Sequence, residues 1–377
     1  MQMSTQGRSV ADPQPGPDLS IVVPTFNERE NIGRLVDLLE SCLAGVCWEL
    51  IVEDDDSPDN TADLVRGLAC VNAHVCCVQR IGRRGLASAC LAGMLASSAP
   101  FLAVMDGDLQ HDERLLPEML RQLKEGNDDL VIGSRYMAGG SIGQWAGMRA
   151  KTTQWATALS RPWVPEGRTD PMSGFFALCR DTFDLLVRRT SGLGCRLLLD
   201  VFASSPRPLR FKELPFEFRT RQAGESKVDG QVMWEYVMLL LDKSIGRYVP
   251  VRFVAFALVD GSGVVVHFAA LLLFHRGFSL PFVWGQGRAT VLAMTSNFAL
   301  NNLITYRDRR LTGWRWLRGW LSFALVCGLG AIGNVGVASY LFGQDLHWGC
   351  SAMAGIVVGT VWNDVVTASY TWKAKSR

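Results

Sequence analysis

The sequence predicts an α/β domain with a mostly parallel, doubly wound sheet, followed by an all-α membrane domain of four helices. Three observations carry that expectation. Between Leu19 and about Lys227, short apolar runs alternate with helical patterns; after Tyr248, four long apolar stretches follow; and only 20% of residues are charged although 48% are hydrophobic, against roughly 25% charged in soluble domains. At 377 residues the chain has room for two packed units. The expected divisions are a tail over 1–18, the α/β domain over 19–228, a linking interfacial helix over 229–248 and the membrane domain over 249–377.

Taken in order, the first 18 residues are polar and rich in Pro, Gly and Gln. They lack the apolar core of a signal peptide and read as a disordered, cytoplasmic tail. Strand-like runs follow at Leu19 to Val23, Trp48 to Val52, His74 to Val78, Phe101 to Met105 and Leu130 to Ile132, with helical patterns between them. In such a sheet ligands gather at the carboxyl ends of the strands, so chemistry is sought just after each run. Trp145 to Trp163 and Val232 to Tyr248 mix Trp, Leu, Met and Val with Arg and Lys at near-helical spacing, as interfacial helices do, though core helices share that pattern.

The apolar stretches run over Val249 to Phe274, Leu280 to Tyr306, Trp316 to Phe342 and His347 to Trp372, each beyond the roughly 20 residues that cross hydrocarbon. Arg307, Arg309, Arg310 and Arg315 lie between the second and third, Arg318 just inside the third, and Lys373, Lys375 and Arg377 after the fourth, whereas the other side offers Arg276 and Arg288. Positive charge stays inside, which places the α/β domain and both termini in the cytoplasm. Buried helices of a soluble protein would account less well for the flanking Trp, Tyr and Arg anchors. Asp260 and His267 share one helical face, and with Asn297, Asn301, Asn302, Asn363 and Asp364 they mark the bundle interior. Gly328, Gly330, Gly333 and Gly336 point to close helix packing. A weak echo pairs Asn297, Thr305, Tyr306 and Arg307 with Asn363, Thr371, Trp372 and Lys373 at a constant offset, as two copies of one hairpin would.

Composition excludes some functions. With 38 Lys and Arg against 36 Asp and Glu, no nucleic-acid partner is expected. Ten cysteines form no C-x-x-C pair and read as reduced thiols rather than disulfides or a zinc site. The first strand leads into Pro24-Thr25-Phe26-Asn27-Glu28, not a dinucleotide-binding glycine turn, and no P-loop motif occurs.

Two acidic strand ends carry the chemistry. Asp54, Asp55 and Asp56 precede Ser57-Pro58-Asp59, where Ser57 can cap a helix beginning at Pro58; carboxylates there can accept hydrogen bonds from a nucleobase or ribose, or form a solvated turn. After the fourth strand come Asp106-Gly107-Asp108-Leu109-Gln110-His111. Two carboxylates one residue apart, with an amide oxygen beyond them, can converge on Mg²⁺ or Mn²⁺ while Gly107 lets the backbone turn. A lone D-x-D also occurs in surface turns; its place after an apolar strand favours metal. His111 is expected to pack or hydrogen-bond.

These motifs, with Gly133-Ser134-Arg135-Tyr136 and Asp170-Pro171-Met172-Ser173-Gly174-Phe175, resemble in order those of the polyprenyl-phosphate (dolichyl-phosphate) mannose synthases of glycosyltransferase family 2. The resemblance covers Leu19 to about Lys227, and the four-span tail resembles the GtrA-like membrane domain fused to some of these enzymes. It implies a GT-A catalytic domain, inversion at the anomeric carbon, GDP-mannose or another nucleotide sugar as donor, polyprenyl or dolichyl phosphate as acceptor, and membrane lipids as surroundings. By motif, Pro24, Phe26, Glu28, Asp54, Asp55, Asp106, Arg221 and Lys227 would border the nucleotide sugar. Asp106, Asp108 and Gln110 would hold the metal. Arg135, Arg149 and Thr153 would take the acceptor phosphate, with Asp106, Asp108, Arg135, Arg149, Arg219 and Arg221 as catalytic candidates. Three departures stand out: Phe26 where Tyr is usual, Asp56 where Asn is usual, and Asp200 where the family tends to have Glu. Transfer of glucose or another hexose from a UDP-sugar, or a lipid-linked-sugar translocator with a non-catalytic soluble domain, are the alternatives.

Such a reaction needs cations for a physical reason. A phosphate monoester with a second pKa near 6 is largely ionised at neutral pH and attacks without a general base. Bringing it to a diphosphate costs about 4 kcal/mol per unit-charge pair at 4 Å and an effective dielectric of 20. The segment Arg219 to Lys227, with Gly224 as a hinge, would close over the diphosphate or meet anionic headgroups. Arg83 and Arg84 could also meet the donor or sit in a solvated turn.

Overall fold

The structure, a computed structural model, describes residues 16–141, 159–163, 169–194, 196–220, 230–246, 248–306 and 309–372. The chain divides into two compact units, Met1–Lys243 and Ser244–Arg377.

The first unit is built on a seven-stranded sheet. Its strands are β1 (Leu19–Thr25), β2 (Trp48–Asp54), β3 (Val75–Gln79), β4 (Phe101–Val104), β5 (Leu130–Ser134), β6 (Phe176–Cys179) and β7 (Phe211–Pro215), in the spatial order β3-β2-β1-β4-β6-β5-β7. β1 pairs in parallel with β2, from Leu19 opposite Trp48 to Thr25 opposite Asp54, and with β4 on its other side. Apolar residues point to both faces of β1 because both faces are covered, as in buried parallel sheets. Ile21 and Val23 join a cluster with Leu35, Leu39, Leu50 and Val52, while Val22 joins Cys90, Met94, Leu102 and Val104 on the opposite face.

Five strands were legible as apolar runs, and two were not. β6 is four residues long and runs antiparallel between β4 and β5, with Phe176 opposite both Val104 and Ile132. It follows directly on the Asp170–Phe175 motif, so its start is hidden in what reads as a loop. β7 is half-exposed and carries Lys212 and Glu213, polar as edge strands commonly are.

The helices of this unit follow the strands. They are α1 (Arg29–Cys42), α2 (Thr61–Ala69), α3 (Leu86–Ala96), α4 (Leu116–Lys124), α5 (Arg180–Leu186), α6 (Leu197–Ser204) and α7 (Gly230–Ile245). α1 buries Ile32, Leu35, Val36 and Leu39, one stripe at helical spacing. α2 begins at Thr61 rather than at Pro58. The reason is local: Asp59 Oδ1 accepts from both Thr61 N (3.0 Å) and Thr61 Oγ1 (2.6 Å), and Asn60 takes a left-handed conformation. On α7, Tyr236 and Leu239 are buried against Met172 and Leu199, so part of the expected interfacial helix is core.

The second unit contains α8 (Val251–Leu272), α9 (Phe282–Leu300), α10 (Trp314–Phe342) and α11 (Trp348–Val366). Two helical stretches, Val251–Gly277 and Trp314–Leu341, are long and apolar enough to cross a membrane. α9 and α11 continue into wider π-helical turns at Asn301–Thr305 and Thr367–Thr371. These turns stand at the offset of the sequence echo, and each is closed by the same bond, Tyr306 N to Asn301 O (2.8 Å) and Trp372 N to Thr367 O (2.9 Å). The two echo residues meet: Tyr306 and Trp372 stack with ring centroids 4.2 Å apart at 6°. Asn297 packs against Gly263 as Asn363 packs against Gly330, where a Cβ would fall 2.3 Å from the amide oxygen in both cases. The polar positions lie inward, with Asn297 donating to Asp260 (3.3 Å) and Tyr306 Oη to Asp364 (3.1 Å).

Candidate active site

The ends of β1, β2 and β4 supply the acidic centre. After β4, Asp106 carries its carboxylate beside Gly174, where an added Cβ would lie 3.4 Å from Oδ2. The Asp170–Phe175 motif therefore passes directly over the first carboxylate. Asp108 is buried, and its Oδ1 accepts from Gln110 N at 3.1 Å. Gln110 is tied down from both ends, because its Nε2 donates to Arg219 O (3.0 Å) and its own carbonyl accepts from Arg219 N (3.0 Å). With Nε2 so engaged, Oε1 is the acceptor that Gln110 keeps.

Burial, and then the charge of Asp108, raise the Asp106 carboxyl above the ordinary carboxylate range, while His111 opposes them. Two carboxylates one residue apart, followed by a neutral amide oxygen, are the hard donors a small dication takes. Among the described residues no group of three or more His, Cys, Asp or Glu could hold a metal; Gln110 is the neutral oxygen donor the motif adds to the two carboxylates. His111 is buried, accepts the Asp106 N–H on Nδ1 (3.0 Å) and stacks on Phe175 with centroids 5.1 Å apart. Its Nε2 lies 3.7 Å from Asp106 Oδ2.

Beside this pair lies the second acidic turn. Pro24 belongs to β1, and Glu28 at the start of α1 accepts from Asn31 Nδ2 (2.8 Å). Arg84 stands over the Phe26 ring with Cζ 4.3 Å from its centroid, a cation–π contact that needs no phenol hydroxyl. Asp54 turns inward: fully buried, it accepts from Ser57 N (2.9 Å) and Ser57 Oγ (2.5 Å). Both of its oxygens are engaged in holding the turn. Asp55 takes the Gly85 N–H on Oδ2 (2.8 Å) and forms an ion pair with Arg80 Nη1 at 3.0 Å. Arg80 also reaches Gly85 O and Ser88 Oγ, so one buried arginine welds the β2 end to the loop before α3. Asp56 accepts from Gln79 Nε2 (2.9 Å).

Two of the expected cations are paired with carboxylates of the protein. Arg135 forms a two-pronged pair with the fully buried Asp170, through Nε (2.7 Å) and Nη2 (3.0 Å). Arg219 is committed to Glu113 (2.7 Å) and Asp112 (2.6 Å). Both charges are thus balanced by the protein itself. Arg149, Thr153, Arg221 and Lys227 lie outside the described residues. Asp200 is buried and holds Lys243 Nζ (2.6 Å), Gly192 N (3.0 Å) and Ser204 Oγ (3.0 Å); its part is to fasten α6, α7 and the loop before α6.

Sequence reasoning did not single out Arg80, Glu53 or Arg196 for roles at this centre. Glu53 precedes the acidic run on β2, yet its carboxylate is wholly buried with neither oxygen hydrogen-bonded. Arg196, which opens α6, donates from Nη1 to Met172 O (3.1 Å) in the loop covering Asp106. Their neighbours come from other strands, and no local motif marks them.

Comparison with known proteins agrees with this layout. The family described as glycosyl transferase family 2 matches residues 20–185, and the GtrA/DPMS transmembrane domain matches residues 255–372. Dolichol-phosphate mannosyltransferase of Pyrococcus furiosus is 31% identical over 357 residues, covering 94% of this chain and 99% of that relative. The enzyme of the same name from Mycosarcoma maydis is 33% identical over 253 residues, covering 64% and 85%. Among solved structures, glucosyl-3-phosphoglycerate synthase of Mycobacterium tuberculosis, in complex with Mn²⁺, UDP and glucosyl-3-phosphoglycerate, aligns at a TM-score of 0.46 and 19% identity over 60% of this chain and 80% of that one. The strand-end carboxylates, the helical second unit and the match along nearly the whole chain lead to one conclusion: this membrane protein belongs to the dolichol-phosphate mannosyltransferase family, with a family 2 glycosyltransferase domain followed by a GtrA/DPMS transmembrane domain.

Proposed function

We propose that the protein transfers mannose from GDP-mannose to a polyprenyl or dolichyl phosphate, with inversion, at the cytoplasmic face of the membrane. The observation that carries this is the full-length match to a dolichol-phosphate mannosyltransferase, together with Asp106, Asp108 and Gln110 standing after β4 where a nucleoside diphosphate would dock. The UDP-hexose and translocator alternatives have no comparable support. The basic residues on one side of the membrane unit support four spans with both termini cytoplasmic.

Asp106 and Asp108 would hold Mg²⁺ or Mn²⁺, with Gln110 Oε1 as the neutral donor. Bound there, such an ion supplies Lewis-acid stabilisation of the departing diphosphate. The chain's own residues do the rest. His111 keeps Asp106 oriented, and Asp55 with the Phe26–Arg84 pair borders the nucleotide. An oxygen of the acceptor phosphate bonds to the anomeric carbon as the bond to the donor diphosphate breaks, and that electron pair leaves on the nucleoside diphosphate. No proton has to move.

The test incubates membranes holding the protein with labelled GDP-mannose or UDP-glucose and a polyprenyl phosphate, and identifies the glycolipid. Mannosyl-phosphoryl-polyprenol from GDP-mannose is expected; a glucosyl product alone, or none, overturns the reading. Asp108→Ala and chelation by EDTA should each abolish transfer, and full activity in either would remove the metal assignment.

A further inference from the structure

We propose that Glu53 is a positioning residue for the sugar donor and acts through Arg80: protonated, it leaves Arg80 on the loop beside the nucleotide; ionised, it draws Arg80 away. The role rests on the transferase reading above. Sheet register brings the groups together. Glu53 stands opposite Pro24 of β1 and Val78 of β3, and the ladder continues to Arg80, whose N–H donates to Asp54 O at 2.8 Å. Side chains alternate along a strand, so Glu53, Asp55 and Arg80 share the face that α3 covers. A Cβ on Gly93 of α3 would lie 3.1 Å from Glu53 Cγ, and Ser88 in the first turn of that helix accepts from Arg80 Nη2 at 2.7 Å.

Hydrogen bonding on this face is uneven. Both Glu53 oxygens are buried without a hydrogen-bond partner among the described residues, and so is Asp55 Oδ1, although Arg80 Nη1 lies 3.0 Å from it. Arg80 instead donates to Gly85 O (3.2 Å) and to Ser88 Oγ. It is tied to the loop by hydrogen bonds and to Asp55 by charge alone. The thiols of Cys76 and Cys77 on β3 and of Cys90 on α3 are the other titratable groups around Glu53, and burial raises all three, so they are uncharged near pH 7. β1 contributes Pro24 and no charge. Burial keeps Glu53 protonated up to about pH 7; beyond that, a buried carboxylate without hydrogen bonds is costly, and Arg80 is the cation that can offset the cost. Moving to Glu53, Arg80 releases Gly85 and Ser88. Gly85 adjoins Arg84, which stands over Phe26 with Cζ 4.3 Å from the ring centroid, and Asp55 is left with a charge that repels the donor diphosphate. Both changes weaken donor binding, and by linkage bound nucleotide holds the proton on Glu53.

Equilibrium binding of GDP with Mg²⁺ is measured between about pH 5.5 and 8.5 on the full-length protein in detergent, as wild type, Glu53→Gln and Ser88→Ala. Measured against Glu53→Gln, which cannot ionise, wild type should lose about tenfold in affinity across that range, the factor implied by a tenfold change in the proton affinity of Glu53 on binding, and the two should agree at the acid end. Ser88→Ala removes one hold on Arg80, so its step should come at lower pH than that of wild type. Parallel wild-type and Glu53→Gln profiles, with or without a constant offset, overturn the proposal and make Glu53 structural. A Ser88→Ala step at the wild-type pH overturns it as well, and decides the matter should Glu53→Gln not fold. GDP binding does not depend on the sugar or the acceptor, so a failure of the mannose reading appears separately, as wild-type protein that shows the pH step but forms no mannosyl lipid.

Discussion

At the scale of single residues, Glu53 is a tightly constrained side chain on the strand that carries the acidic run. It lies on β2 with no exposed surface and neither carboxylate oxygen bonded. Burial pushes its carboxyl from the ordinary 4.5 up to about 7, Arg80 opposing and Asp55 adding to the shift. The sign follows from proton binding. The folded chain holds this proton up to about pH 7 and the unfolded chain releases it near 4.5, so the stabilisation is complete below 4.5 and is lost as pH rises toward 7. At 1.36 kcal/mol per pH unit the gap sets a ceiling of roughly 3 kcal/mol. Glu53→Gln should flatten that slope, so thermal unfolding of wild type and variant between about pH 5 and 8 should converge at the acid end and diverge at the alkaline end. Parallel curves would show that Glu53 does not titrate. Glu53 and Arg196 also show which part of the site the sequence hides. Asp106, Asp108 and Gln110 were legible because strand, turn and ligand spacing are local, whereas the environments of Glu53 and Arg196 are assembled from distant strands and loops.

At the scale of elements, α3 shows how closely a helix can approach this sheet. Its buried face is Ala87, Ala89, Cys90, Gly93 and Met94, and a Cβ at Gly93 would lie 2.5 Å from Val22 Cγ1 and 3.1 Å from Glu53 Cγ. Gly→Ala within a helix normally gains about 1 kcal/mol, but overpacking against a strand costs about 1–3 kcal/mol. Packing wins here, so Gly93→Ala should lower the melting temperature. Gly67→Ala on α2, where nothing lies within 4 Å of the added carbon, should leave it unchanged or raise it. A Gly93→Ala protein at least as stable as wild type would mean that α3 shifts freely. The same contact explains the limits of pattern reading. The apolar stripe of α1 announces its buried face, whereas the small residues of α3 show no such periodicity because closeness, not amphipathicity, selects them. Antiparallel β6 was hidden for a related reason: its four residues continue a functional loop without a turn signal between them.

At the scale of the whole molecule, the two units have separate cores. The first holds the carboxylates and the loops around them; the second is stapled by an aromatic cluster of Phe256, Phe298, Tyr306, Phe323 and Trp372, with paired Asn–Gly contacts in each helical hairpin. Nothing in that cluster resembles nucleotide chemistry, while the acceptor of this family carries a hydrocarbon chain that water will not hold. A short analogue has little chain to shelter, and each further CH₂ is worth about 0.8 kcal/mol of burial. Any help from the second unit must therefore grow with acceptor length. A chain ending after Tyr248 should keep much of its transfer to a short, water-soluble polyprenyl phosphate analogue and lose most of its transfer to a long one, measured as kcat/KM on both acceptors beside the full-length protein. Donor KM should not change, because the proposed donor site is built from β1, β2 and β4. Equal losses on the two acceptors would assign the second unit to anchoring or folding alone, and a truncated protein that binds no nucleotide would show that the first unit depends on the second for its own structure.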